Sequence, residues 1–373
     1  MKGLKRLLLA SAISASCIQG AWAIGAYPRP IVMRQPDGTT LLVRIQGDEN
    51  YHFVTSSDGF FLQRDKKGYF CYVDYDLKTG KRTLTRQRAH NIDERTDAEK
   101  KVISRLTASQ TANADYFKRN RIERKAPAKT LDKKVIAPRR VLGKNAKVKE
   151  SQYLVILVNF SDSTMRYKNS DFDRWLNEPG YSVNGGTGSV KDYYRDNSMG
   201  QYVPNFQVVG PYTLSKPTAY YGGNTGDSGT DTNPRDMVRE ALELARQNNP
   251  DLNFAQFDND GDGEMDNCYI IYAGYSEAST ANTDDIWPHS WNFTTADANG
   301  DVPVKPEYDG IKVNNYSCSA ELVGMPGAPV KPSMDGIGTF THEFGHVLGL
   351  KDMYDTDNTD NGVGIDPGDY SLY

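Results

Sequence analysis

The stretch Tyr153-Leu154-Val155-Ile156-Leu157-Val158 carries apolar side chains at odd and even positions alike, so a strand built from it has no face to offer water. Such a strand has to be covered on both sides, the condition of an internal strand in a parallel sheet flanked by helices. The following sequence supplies the covers. Asn233-Pro234 offers a helix cap and a first helical residue. Met237, Val238, Ala241, Leu242 and Ala245 then recur at helical spacing through Arg246, and Asn248-Asn249-Pro250 ends the run. Cys268 to Ala273 reads as a second apolar strand, and Ile337 to Leu350 as a further helix. Alternating strands and helices predict an α/β (α+β) domain over residues 151–373.

The first 150 residues have another character. Lys2, Lys5 and Arg6 precede the apolar run Leu7 to Ile18, and Ala21-Trp22-Ala23 gives a small-x-small cleavage pattern. Residues 1–23 therefore read as a signal peptide, removed on export to the extracellular space or periplasm. The run is too short for a stable membrane span. Lipidation at Cys17 competes with this reading, but Ser14-Ala15-Ser16 lacks the usual leucine. From Ile24 to Asp74, the turns Pro36-Asp37-Gly38, Asp58-Gly59 and Lys66-Lys67-Gly68 separate short strands at Thr39–Ile45, Phe60–Gln63 and Tyr69–Val73, a small β-meander. Asn91 to Lys125 lacks Gly and Pro and reads as helix; residues 126–150 read as an exposed linker carrying Lys133-Lys134 and Arg139-Arg140. Residues 24–150 are thus expected to form a small β-rich pro-domain followed by a helical, basic linker. The charge pattern agrees: between Lys118 and Lys149 stand 13 basic residues against Glu123 and Asp132, leaving 31 basic and 46 acidic elsewhere. An acidic surface with a basic connector suits a secreted cation binder and argues against nucleic acid as a partner. No later stretch is apolar enough to cross a bilayer, and a monomer is expected.

The chemistry concentrates in His342-Glu343-Phe344-Gly345-His346. A spacing of four puts both imidazoles on one helical face, one turn apart, where they can share one ion. Glu343 lies beside the first ligand, placed to reach a metal-bound water. Gly349 can adopt a positive φ and turn the chain out of the helix, returning Asp352 as a third ligand. Two imidazoles and a carboxylate leave one tetrahedral position for water, as catalytic zinc requires. His289, within Trp287-Pro288-His289-Ser290-Trp291, reads as a competing ligand, a substrate-contacting residue or a buried histidine among aromatics, the last being the default reading.

The run Thr341 to Asp352 resembles the immune inhibitor A-like metalloproteases of bacteria, secreted zincins with the extended H-E-x-x-H-x-x-G-x-x-D pattern, related to metzincins. Gly188-Ser189-Val190-Lys191-Asp192-Tyr193-Tyr194, Phe257 to Gly263 and Ile286-Trp287-Pro288-His289 extend the similarity over roughly 151–373, and more loosely from 24. The resemblance implies a zincin-like catalytic domain in which His342, His346 and Asp352 bind zinc and Glu343 is catalytic. It implies a zinc metalloendopeptidase precursor acting on protein or peptide substrates, with its own pro-domain as inhibitor. Such enzymes continue past the third ligand to a methionine-containing turn. This sequence stops at Tyr373, and Met353 is too close to Asp352 to serve, so the domain is expected to be C-terminally truncated.

Asp258, Asp260, Asp262 and Asp266, with Gly263 at the turn, resemble an EF-hand loop whose twelfth position is Tyr269 instead of Glu. Carboxylates this close repel without a cation, so Ca²⁺ is the expected occupant. The stretch Asp355 to Asp360 is assigned no ligand. After loss of Cys17, Cys268 and Cys318 are able to pair, and Cys71 either packs as a thiol or blocks the metal as a thiolate. The alternatives to an enzyme are a non-catalytic zinc- and calcium-binding surface or inhibitory protein, and a calcium-dependent adhesin; the adhesin leaves His342-Glu343 unexplained.

Overall fold

The structure, a computed structural model, describes residues 26, 29–48, 51–76, 78–79, 81–106, 149–225, 230–295, 302–324 and 332–350. Six consecutive strands form the N-terminal sheet: β1 (Ile31–Arg34), β2 (Thr40–Asp48), β3 (Tyr51–Ser56), β4 (Phe61–Arg64), β5 (Phe70–Tyr75) and β6 (Arg82–Arg88), each antiparallel to the next. This is the expected meander. Its tight turns carry Gly38, Gly59 and Gly68 at φ between 84° and 91°, where a side chain would be strained. Strand alternation gives the sheet two apolar faces. Leu41, Val43, Ile45, Leu62, Phe70 and Tyr72 share one cluster, while Tyr51, Phe53, Phe61, Val73 and Tyr75 form another.

Of the helix expected over 91–125, the described part contains a 3₁₀ turn at Ile92–Glu94 and helix α1 (Asp97–Ile103). Thr96 caps α1 by accepting from the Glu99 amide at 3.2 Å. Residues 107–148, with the basic pairs, and residues 1–25, with the signal-like segment, lie outside the described residues. Glu99, 0% exposed, ties α1 to the sheet: its carboxylate accepts from Tyr72 Oη (3.0 Å) and the His90 amide (3.0 Å), and lies 2.9 Å from His90 Nδ1.

The larger unit begins with β7 (Lys149–Asn159), two residues before the expected boundary. In chain order there follow α2 (Asn169–Asn177), α3 (Val190–Asn197), β8 (Tyr202–Thr213), α4 (Thr218–Tyr221), β9 (Asn224–Thr225), β10 (Thr230–Asp231) and α5 (Pro234–Asn248). Then come β11 (Glu264–Met265), β12 (Cys268–Tyr275), α6 (Glu277–Thr280), β13 (His289–Asn292), β14 (Glu307–Tyr308), β15 (Ile311–Val313), β16 (Asn315–Val323), β17 (Ser333–Met334) and α7 (Ile337–Val347). The main sheet runs β13-β16-β12-β7-β8; its four long strands are parallel, and β13 lies antiparallel on the edge beside β16.

β7 is interior, as its composition demands. Leu154, Ile156 and Val158 pack with Met237, Val238, Ala241, Leu242 and Ala245 of α5 on one face. Tyr153, Val155 and Leu157 pack on the other with residues of α2, α3 and α7. The α5 boundaries match the reading, but Asn233 does not cap: its Nδ2 donates to Tyr220 O at 2.7 Å instead. Cys268 and Cys318 are free thiols, not a disulfide. They stand on neighbouring strands, but Cys318 pairs with Ile270, so the two are out of register. Among the described residues no helix is long and apolar enough to cross a membrane.

Two stability tests follow from this packing. Phe340 stacks on Tyr269 at 3.8 Å between centroids and is fully buried; Phe340→Ala is expected to lower unfolding free energy by about 3 to 5 kcal/mol in urea denaturation, and a loss below about 1 kcal/mol contradicts the packing. Glu99→Ala leaves Tyr72 and His90 donors without their acceptor, a loss of about 3 kcal/mol expected as faster amide exchange in β5 and β6; unchanged protection there refutes the role of Glu99.

Candidate metal centre

α7 buries Phe340, Phe344 and Val347 on the α2 and α3 side of the main sheet. Their three- and four-residue spacing makes one apolar stripe, and the remaining surface carries His342 and His346. Three hydroxyls fix the helix. Thr341 Oγ1 donates back to Ile337 O (2.8 Å) and Gly338 O (2.9 Å). Tyr194 Oη on α3 donates to Thr341 O at 2.6 Å, and Ser317 Oγ on β16 donates to Glu343 O at 3.4 Å. The carbonyls flanking His342 are thereby tied to a second helix and to the sheet.

The stretch Gly188 to Tyr194 has its physical reason here. Ser189 Oγ accepts from the Asp192 amide at 3.1 Å, and Asp192 Oδ2 accepts from the Ser189 amide at 3.1 Å and Gly180 amide at 2.7 Å, a capping box that starts α3. Burial works against its charge, but these backbone donors and Arg195 hold the Asp192 carboxyl below its usual range. α3 so fixed presents Tyr194 to α7.

His342 and His346 are brought together as their spacing predicts. The two Nε2 atoms are 3.1 Å apart, with ring centroids at 4.6 Å and planes at 83°. Two nitrogens bound at 2.0–2.1 Å to one tetrahedral ion lie about 3.3 Å apart, so the pair fits zinc closely. The tautomer of His346 is also set: Nδ1 lies 2.9 Å from Leu350 O, which can only accept, so the proton is on Nδ1 and Nε2 keeps its lone pair for a metal. That bond depends on the chain turning back after the helix, where Gly349 has φ +84°, the predicted left-handed turn. α7 itself ends at Val347, three residues short of the expected Leu350. Asp352 lies outside the described residues.

Glu343 is 1% exposed and His342 is fully buried, whereas His346 is half-buried. Burial first, and then the Glu343 charge, push the Tyr269 phenol on β12 well above its usual range. His289 is not at this centre. It pairs with Cys318 on β16, and strand alternation sends it to the face opposite Ser317 and α7. There its Nδ1 lies 2.7 Å from Trp287 O and its Nε2 3.1 Å from Tyr316 Oη, a buried histidine among aromatics. Cys71, buried on β5, faces away from Tyr72 and hence from the sheet face that carries the Tyr72 cluster; burial raises its pKa, keeping it a thiol.

In the acidic loop, carboxylate oxygens of Asp258, Asp260 and Asp262 lie within 4.8 Å of one another. Asp266 is not among these three. Its Oδ2 accepts from Asn259 N and Nδ2, both at 2.8 Å, and the Asn259 amide in turn bridges to Gln152 of β7 through N–H···Oδ1 (2.8 Å) and Nδ2···O (3.0 Å). Burial opposes the Asp258 charge, but amides of Gly263, Gly261 and Asp262 hold its carboxyl below the usual range. Sequence spacing missed Tyr194, Ser317, Tyr269 and Asn259, whose partners are distant in the chain.

The profile of the immune inhibitor A peptidase M6 catalytic domain matches residues 141–370. The pre-pro-metalloprotease PrtV of Vibrio cholerae serotype O1 is 27% identical over 314 residues, covering 74% of this chain and 33% of that protein. Immune inhibitor A of Bacillus thuringiensis subsp. alesti is 29% identical over 261 residues, covering 59% and 36% respectively. The chain thus spans about a third of the length of the curated relatives it matches. By the extent of the profile match, the chain belongs to the immune inhibitor A peptidase M6 family.

Proposed function

We propose that this chain is the precursor of a secreted zinc-dependent endopeptidase. The observation that carries the reading is the pair of Nε2 atoms 3.1 Å apart, one of them with its tautomer fixed for metal binding, beside a buried glutamate. His342 and His346 hold the metal, with Asp352 as third ligand. When bound, zinc supplies Lewis acidity to a water and to the scissile carbonyl. Glu343 accepts the proton of the attacking water and returns it to the leaving amine, so hydrolysis needs no covalent intermediate. The hydroxyls of Tyr194 and Ser317 hold the helix backbone so that both imidazoles keep their mutual geometry.

In the same reading residues 1–23 direct export and are removed, and residues 24–150 form a pro-domain that keeps the precursor latent until the linker is cut near Lys133-Lys134 or Arg139-Arg140. The chain acts on protein or peptide substrates as a monomer. Asp258, Asp260 and Asp262 bind calcium in a loop already closed by Gly261, Asp262 and Gly263 amides, which rigidifies the loop anchored on β7 through Asn259.

Two measurements test this. Glu343→Ala is expected to keep stoichiometric zinc while casein hydrolysis falls by about 10² to 10⁴; hydrolysis at the unaltered rate refutes the assignment of Glu343, and zinc retention with no hydrolysis by the unaltered, linker-cut chain favours a non-catalytic metal-binding protein. Calcium at a hundredfold excess over its Kd is expected to stabilise the chain by about 2.7 kcal/mol, an effect absent in Asp260→Ala; equal melting of both proteins with and without calcium removes the ion from the account.

A further inference from the structure

The N-terminal sheet and the larger unit share one buried cluster. Ala278 and Ala281, at and just after α6, and Trp287, just before β13, pack with Ile31, Leu41, Tyr72 and their neighbours, and all three are under 8% exposed. At its edge the His52 ring of β3 stacks on Trp287, centroids 3.9 Å apart and planes at 16°. The ring is held from both sides: Nδ1 lies 3.1 Å from Asp48 O within the N-terminal sheet, and Nε2 lies 3.2 Å from Glu277 Oε2 across the junction. Glu277, only 2% exposed, is oriented by Asn224, whose Nδ2 donates to Oε1 at 2.7 Å.

Without the N-terminal sheet, a tryptophan, two alanines and a carboxylate would be laid open together. An exposed apolar patch rimmed by charge is the signature of a surface made for a partner, and here the partner is seen in place.

We propose that the N-terminal sheet is a non-covalent ligand of the catalytic unit, docked through His52 on the Glu277–Trp287 surface, so that cutting the linker leaves the two pieces associated and release is a separate step. That release, not cleavage alone, governs activity rests on the latency reading above; the association itself does not.

The test uses the whole chain in a Glu343→Gln background, with a site-specific protease sequence inserted between Ala137 and Pro138. After complete cutting, confirmed on a denaturing gel, gel filtration at micromolar concentration is expected to show one species at the volume of the uncut chain. His52→Ala in the cut chain is expected to weaken association by roughly tenfold or more. Glu277→Gln, which keeps the side-chain shape, is expected to weaken it in the same direction, and circular dichroism of each uncut variant checks its fold. Separation of the cut parent chain overturns the proposal, as does association unchanged in both variants. Because the readout is association in an inactive background, failure of casein hydrolysis by the active chain counts against the protease reading alone.

Discussion

Two imidazole nitrogens facing each other at 3.1 Å are the constraint on which the rest of this molecule turns. Lone pairs at that distance repel unless a proton or a cation lies between them, and a Lewis-acidic ion satisfies both at once. The geometry survives only if α7 neither rotates nor slides. Its apolar stripe on Tyr269, Phe206 and Tyr153 prevents rotation, and the hydroxyls of Tyr194 and Ser317 on its carbonyls prevent sliding. A packed helix with polar anchors is how a fold keeps two side chains in a fixed mutual geometry.

The sheet supplies that support because β7 is apolar on both faces. One face seats α5 and the other seats α2, α3 and α7, so the two cores are separated only by strands. β16 makes the division chemical. Its Ser317 side serves the metal helix, while Cys318 on the opposite side meets His289 and Tyr316. A histidine twenty-nine positions before Cys318 is thus excluded from the centre by strand parity, despite its tempting place in the sequence.

Much of this was legible in the sequence. The interior strand followed from Leu154 to Val158 having no polar alternation, and the facing pair of imidazoles followed from a four-residue spacing on a helix. The turn at Gly349 followed from the need to leave that helix sharply. Local signals of this kind suffice because the physics is local. What escaped reading was long-range: Tyr194 reaches Thr341 and Asn259 reaches Gln152 through tertiary contacts that leave no periodicity. Asp266 stands at a ligand-like position in the loop, and its Oδ2 accepts from Asn259, a contact that spacing alone does not announce. Cys268 and Cys318 invited pairing because an oxidising compartment was expected; they stand as free thiols on neighbouring strands, out of register with each other. His52 gave no sign of its place on Trp287, because nothing in a β-meander announces which face will meet another unit.

The most direct test of the central claim is X-ray absorption at the zinc edge on the purified chain. One zinc with two imidazole nitrogens at about 2.0–2.1 Å in its first shell is the predicted result, with zinc lost from the His342→Ala, His346→Ala double variant. Failure of the chain to take up zinc, or equal uptake by the double variant, contradicts the account.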